Sequence, residues 1–389
     1  MRLPYITFLI WSFCLSLHVD GQSHPSVKVG LFAPIYLDSA FSENTYKQGN
    51  TISKSNMPGL EFYNGVMMAI DSLNAEGVTA EVFFYDTKSA AEPLELILEN
   101  PELKSLSLII ASFNNRAEVK TLADFALANK IPLISETYPN DGGIIENPYF
   151  VLINSTLKTH VDALYKYLQR TYATTNLVLI KRKGQMEDII QSYFTDNNKK
   201  TPSIPLKLKS IELIDSFSTA DLLNKLDSNR QNIVICGTLN EGFAMSVIKT
   251  LSANPNYAAL LIGMPNWDGF RDLTKPEFKS VDVVYTSPYN YSRTDKLAIY
   301  LTTKYRNKFL SRPSDLVFKG YESFYHFTKL SIKHQEKLIH NLSDKSFKLI
   351  NDFDIQPVKF KKENKEPDYW ENRKLYFIKK ADGQIKLLF

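Results

Sequence analysis

Cysteine is almost missing from this 389-residue sequence, which has only Cys14 and Cys236. Cys14 lies in an N-terminal apolar run, behind a bulky Phe13 where a lipid-attachment site wants a small residue. A chain that loses this run keeps one thiol and no internal disulfide. Cys236 sits inside the apolar stretch NIVICG, where a small buried core residue is the expectation rather than a nucleophile. Histidine is scarce as well. Past the N-terminal run, His24, His160, His326, His334 and His340 have no ligand spacing of the HExxH kind, so no metal is expected. A glycine-rich phosphate loop and a nucleophile elbow are both lacking. No cofactor, no catalytic residue and no enzyme are therefore expected. Charge of one sign is also lacking: the formal net charge is +4. No basic stripe with interleaved aromatics appears, which sets nucleic acid aside. Past the N-terminus no apolar run approaches the ~20 residues that a membrane span needs.

The N-terminus reads as a targeting signal. Arg2 precedes an apolar run from Ile6 to Leu17, and Val19-Asp20-Gly21 offers a cleavage site. A secretory signal peptide over residues 1–21 is expected. Exported animal receptor domains usually carry several disulfides. A single remaining thiol points instead to the periplasm or cell envelope of a bacterium.

What is present is a large apolar fraction, 44% of residues, enough to build two domains. The stretch from Leu106 to Thr137 organises the rest. Leu106–Ala111 is a short apolar run and reads as a buried strand. Val119, Leu122, Ala123 and Ala126 then recur at helical spacing. Asn115 with Glu118 predicts the helix start. Ile131–Ser135 is a second buried strand. Two parallel strands joined by a helix put their exit loops on one edge of the sheet, and ligands of open α/β sheets bind at that edge. The same alternation runs from Val27 to Ile153 and starts afresh from Leu157 to Gly263. Two similar doubly wound α/β lobes with parallel sheets are expected. Near the end, Asp382-Gly383 between alternating runs predicts a hairpin. The long polar loop from Ile35 to Met57 is of a kind that is often functional or mobile.

This order of elements resembles the type I periplasmic binding proteins, the group that contains the branched-chain amino-acid binders of ABC transporters. The resemblance is carried by VKVGLFAP, LEFYNGVMMAIDSLNAEG, VFFYDTKS, LIIASFNNRAEVKTLADFALANKIPLIS and the closing FIKKADGQIKLLF, and it spans nearly all of the chain after the signal. It implies two lobes joined by three crossovers, with ligand in the cleft and hinge closure around it. By the same resemblance one lobe comprises residues 26–153 and 268–338, and the other 154–267 and 339–389.

The resemblance also implies the candidate site. Ser112, Phe113 and Asn114 occupy the first binding loop, and Ser135, Glu136 and Thr137 the second. Such loops offer hydroxyls and backbone N–H groups to a ligand carboxylate; the bland alternative is that they cap helices and turns. Phe113 is bulky for this role. Glu136 would repel an anion in a dry cleft unless it points to solvent. On the other lobe Gln185, Thr238 and Glu241 follow strand ends. Glu241 stands where amino-acid binders pair with the ligand amine, although the helix dipole alone favours a glutamate there. Trp267 either packs on the ligand or packs between lobes. The expected function is an exported solute-binding protein that holds a small polar, amino-acid-like ligand for an ABC-type membrane permease. The alternative is an envelope scaffold or regulator, partnered by another envelope protein, that keeps the fold without transport.

Overall fold

A computed structural model describes residues 27–43 and 45–389 of the chain. The expected signal peptide lies outside the described residues. In chain order the strands of the two large sheets are β1 (Val27–Ala33), β2 (Ala80–Asp86), β3 (Leu108–Ala111), β4 (Leu133–Ser135) and β5 (Phe150–Leu152), then β6 (Asn176–Lys181), β7 (Lys207–Glu212), β8 (Asn232–Cys236), β9 (Ala259–Ile262) and β10 (Asp282–Ser287), and finally β11 (Ile355–Val358), β12 (Tyr369–Asn372), β13 (Tyr376–Ala381) and β14 (Gln384–Leu387). The main helices are α1 (Met57–Ala75), α2 (Arg116–Asn129), α3 (Leu157–Tyr172), α4 (Gln185–Lys200), α5 (Glu241–Ser252), α6 (Lys296–Phe309) and α7 (Asp315–His334).

Two seven-stranded sheets form. One runs β2-β1-β3-β4-β5-β12-β11, the other β7-β6-β8-β9-β10-β13-β14. The first five strands of each are parallel and share one order. The buried runs LIIA, NIVIC and ALLI make strands because both faces are covered by helices, which leaves no room for polar alternation. In the first lobe one face of the sheet packs under α1, α6 and α7, the other under α2. The second lobe has one continuous core. Asn115 caps α2 as expected: its side chain accepts the N–H of Glu118 at 3.0 Å. The Asp382-Gly383 turn has positive φ at both residues, 51° and 72°, and closes the β13–β14 hairpin.

The lobe boundaries differ from those expected after residue 267. Residues 268–287 stay in the second lobe. Phe270, Leu273, Phe278 and Val283 enter its core, and β10 pairs in parallel with β9. Residues 339–372 return to the first lobe, where Leu342, Phe353 and Ile355 join the core and β12 pairs with β5. The irregular stretch at Pro265 looks like a linker in sequence, but it is a 3-10 turn packed on the sheet. One crossover runs between β5 and α3; the two later ones run instead between β10 and α6 and between β12 and β13.

The polar loop after β1 is pinned. Asp86, at the end of β2, accepts the N–H groups of Ile35, Tyr36 and Leu37 at 2.9, 3.1 and 2.7 Å. The Asn56 side chain donates to the carbonyls of Ile35 and Tyr36 at 2.7 and 3.1 Å. These two side chains satisfy the backbone at the start of the loop, and a short antiparallel pair, Phe41–Ser42 with Thr45–Tyr46, satisfies its tip.

Candidate functional site

The exit loops of β3 and β4 do lie side by side, and they bond to each other. Thr137 Oγ1 accepts the N–H of Phe113 at 2.8 Å, donates to its carbonyl at 3.0 Å, and lies 3.2 Å from Ser112 Oγ. A hydroxyl used in this way has little capacity left for a ligand. Ser112 is buried, and Ser135 is fully buried with no partner for its Oγ. Phe113 does not face the cleft: its ring is buried in the first-lobe core on the α2 side, where removal from water favours it. Asn114 is exposed and donates to Tyr36 Oη at 2.9 Å.

Glu136 neither points to solvent nor enters the cleft. It is fully buried. The Tyr289 hydroxyl donates to both its carbonyl and its Oε1, at 2.7 and 2.9 Å, while Oε2 has no partner. Burial pushes its carboxyl up to about 7; the nearby Ser323 hydroxyl, the charge of Lys319 and the bond from Tyr289 pull the other way.

On the second lobe Thr238 is fully buried and donates to Glu187 Oε1 at 2.6 Å, which latches the β8 exit to α4. Gln185 and Glu241 are exposed at the first residues of α4 and α5. Trp267 is fully buried and stacked on Phe270 with 5.4 Å between ring centroids. Its indole fills the space over Gly263, where any side chain would collide with it. It supports the cleft from behind.

The space between the lobes lies closer to the crossovers. A cavity of about 560 Å³ opens there. From the first lobe it is lined by Pro139, Asn140, Asp141, Lys319, Phe360 and Tyr369. The second lobe supplies Leu157 and His160 at the start of α3, Met186, Ile189 and Tyr193 on α4, Leu239, and Asn266 and Asp268 around Trp267. The crossovers add Asn154–Thr156 and Ser287–Tyr289. Met186, neighbour of Gln185, does reach this space. None of the ten residues expected to touch ligand lines it.

Two opposite charges, Lys319 from the first lobe and Asp268 from the second, line the cavity. The Lys319 ammonium lies 4.0 Å from the centre of the Tyr289 ring. Burial lowers its pKa, and Glu136, Asp315 and Asp268 restrain the fall. Asp268 opens to the cleft, but protein surrounds it on most sides. Burial raises its pKa, Asp315 adds to the rise, and a bond from Ser287 Oγ at 3.2 Å opposes it. Lys319 and Asp268 influence each other without forming an ion pair. His160, with Nδ1 2.7 Å from Thr286 Oγ1, is pushed down to about 3 by burial and is neutral near pH 7. Sequence reasoning missed Lys319, although a signal existed: residues 317, 318, 320, 321, 322 and 323 of α7 are all buried. A helix covered all round turns a lysine toward an internal surface.

Two sheets of one strand order, three crossovers and a cleft between them decide the architecture. The fold is that of the type I periplasmic binding proteins. A branched-chain amino acid ABC transporter protein from Rhodospirillum rubrum matches at TM-score 0.66 and 13% identity, over 93% of this chain and 100% of that one. A branched chain amino acid ABC transporter periplasmic ligand-binding protein from Burkholderia xenovorans matches at 0.62 and 11%, over 94% and 95%. An ABC transporter substrate-binding protein from Desulfitobacterium hafniense, in complex with Leu, matches at 0.58 and 12%, over 93% and 100%. No family model and no curated protein matches the sequence. Among the described residues no helix is long and apolar enough to cross a membrane. At these identities the binding-protein fold is held by the pattern of buried positions rather than by shared side chains.

Proposed function

We propose that the protein is a solute-binding protein of the cell envelope. It holds a small polar, amino-acid-like solute between its lobes and passes it to an ABC-type permease. One observation carries this reading: the interlobe cavity presents Lys319 and Asp268 from opposite lobes, neither paired with the other, beside an apolar wall of Met186, Ile189 and Tyr193. A zwitterion placed there sets its carboxylate toward Lys319, its ammonium toward Asp268 and its body against the wall. Because the two charges sit on different lobes, such a solute favours the closed arrangement of the hinge. The neighbour with Leu bound supports this class of ligand. Ser112, Ser135, Thr137 and Thr238 then act as supports for the cleft walls. The protein binds and does not transform its solute.

The test is thermal unfolding against a panel of amino acids, short peptides, sugars, nucleobases and aromatic acids. A ligand at a hundredfold its dissociation constant adds about 2.7 kcal/mol of stability. A saturable shift that weakens in both Lys319→Met and Asp268→Asn is expected. A folded protein that shifts with nothing on the panel rejects the reading. It would favour the scaffold alternative, which the closure of the Ser112 and Thr137 loops on each other supports.

A further inference from the structure

The cavity has one feature that solute binding alone does not use, namely a buried acid directly behind its cation. Glu136 belongs to the β4 exit loop. Tyr289, on the crossover after β10, donates to its Oε1, and the Lys319 ammonium lies against the ring of that same tyrosine. Oε2 of Glu136 has no partner, and the Ser323 hydroxyl on α7 has none either. Lys319 thus stands between a carboxylate that the protein encloses completely and a cavity open to small molecules, and no carboxylate among the described residues pairs with it.

We propose that Lys319 is the seat of the solute's anionic group and that Glu136 takes up one proton from solvent as that seat is filled. The proposal rests on the solute-binding reading above. The charges balance: an anionic solute and ionised Glu136 share one ammonium before the step. Afterwards the solute holds it, and Glu136 is a neutral carboxylic acid. The groups around Glu136 make this the cheapest response. Burial disfavours its charged form, and Glu322 on α7 adds like charge. Glu322 is itself committed to the N–H groups of Ile350 and Asn351 at 2.8 and 2.6 Å. Tyr289 and Tyr291 are buried phenols whose ionisation burial opposes, so neither can supply or store the charge. Among the described residues, Lys319 is the cation that lowers the carboxyl's pKa there. On the cavity side Lys319 shares the lining with Asp268; Asp315, which also acts on it, is paired with Arg293. A second anion beside Lys319 cancels its field at Glu136, and in a low-dielectric site the carboxylate then protonates. With a resting value about 7, Glu136 is mostly ionised at pH 8 in the free protein. Affinity should then fall with rising pH above about 7, approaching tenfold per pH unit.

The experiment uses the whole protein with two probes, L-leucine, a zwitterion, and benzoate, an anion without an ammonium. Calorimetry at about pH 8 in Tris and in phosphate reads the number of protons exchanged on binding. An uptake approaching one proton with the probe that binds, lost in Glu136→Gln, is expected. Binding without uptake, or uptake that persists in Glu136→Gln, overturns the proposal and leaves the solute reading intact. Failure of both probes to bind a folded protein at any pH overturns the anion seat on Lys319, while the solute reading falls only if nothing on the wider panel binds. Should Glu136→Gln not fold, Tyr289→Phe replaces it. Loss of the phenol's bond must raise the Glu136 midpoint, followed by 13C NMR of labelled glutamate carboxyls, and an unmoved midpoint counts against the proposal.

Discussion

Glu136 makes folding itself depend on pH. Its carboxyl titrates near 7 in the folded protein, against 4.5 for an unperturbed glutamate. Below about pH 4.5 it is protonated in both states and its burial carries no charge penalty. Between 4.5 and 7 the unfolded chain releases the proton and the folded chain keeps it, so stability falls as pH rises. Above 7 both states are ionised and the loss is constant. Each tenfold difference in proton affinity between the two states is worth about 1.4 kcal/mol, so the loss is roughly 3 kcal/mol. His160 slopes the other way. Held at about 3 by burial, it withdraws stability as pH falls below 6.5. A wild-type profile therefore mixes two opposed trends, and a difference separates them. Urea unfolding of Glu136→Gln relative to wild type should give an advantage that grows from pH 4.5 to 7 and then levels. A difference that does not vary with pH would show that the Glu136 carboxyl titrates alike in the folded and unfolded chains, so that burial does not raise it. At this scale the sequence is least readable. Strand-end position marks Phe113 and Glu136 as cleft residues, but it does not say which way a side chain turns. Phe113 turned into a core and Glu136 under a tyrosine, because burial and a single hydroxyl decide those directions.

Among the elements, α7 matters most to the site. It crosses α1 at two glycines. A Cβ on Gly65 would strike the Val317 carbonyl, and one on Gly320 would strike the Phe62 carbonyl. The backbones touch there, and that contact sets the height at which Lys319, the residue before Gly320, meets the cleft. Gly65→Ala must push the helices apart. Overpacking of this kind costs about 1–3 kcal/mol, and a chemical denaturation midpoint should fall accordingly. An unchanged midpoint would mean that the helices separate freely. The α1 and α7 segments themselves were legible, because apolar residues recur at helical spacing in both. Their contact was not, since a glycine in a helix reads only as a weak position until the facing backbone is known. The parallel strands were legible for the opposite reason. The central ones, LIIA, NIVIC and ALLI, are buried on both faces and are short, almost wholly apolar runs. β10, DVVYTS, is apolar only at its centre, and the turns before it contain Pro265 and Trp267 and mimic a linker. That similarity placed the second crossover some twenty residues early.

Across the whole molecule, two of the three crossovers are fastened by one carboxylate. Glu371, on β12 of the first lobe and 1% exposed, accepts at Oε1 from the Thr156 N–H, the Thr156 hydroxyl and the Thr159 hydroxyl, at 2.7, 2.8 and 2.7 Å. Its Oε2 pairs with Arg373 at 2.9 Å. Thr156 and Thr159 open α3 of the second lobe, so a first-lobe side chain caps a second-lobe helix. Beside it the Ser155 hydroxyl donates to the Asn372 carbonyl at 2.6 Å, and Asn154 donates to the Thr137 carbonyl at 2.7 Å. The crossover after β10 reaches the first lobe through Tyr289 and Glu136, and through the Asn290 N–H, which donates to the Asn351 side chain at 2.7 Å. The hinge is therefore stiff on one side and tied to the cleft's charge on the other. Glu371→Gln keeps the volume but replaces one acceptor with a donor facing other donors. Breaking a buried charged network in this way should lower stability by roughly 2–4 kcal/mol. It should also widen the spread of distances between spin labels placed at Asp124→Cys on the first lobe and Asp196→Cys on the second. Glu136→Gln, which leaves the clamp intact, should not broaden that spread. If Glu371→Gln destabilises without broadening, the carboxylate serves only the first lobe's packing, and the pivot between lobes lies elsewhere. If both substitutions broaden the distribution, the Tyr289 crossover constrains the lobes as firmly as the Glu371 clamp does, and the hinge has no soft side.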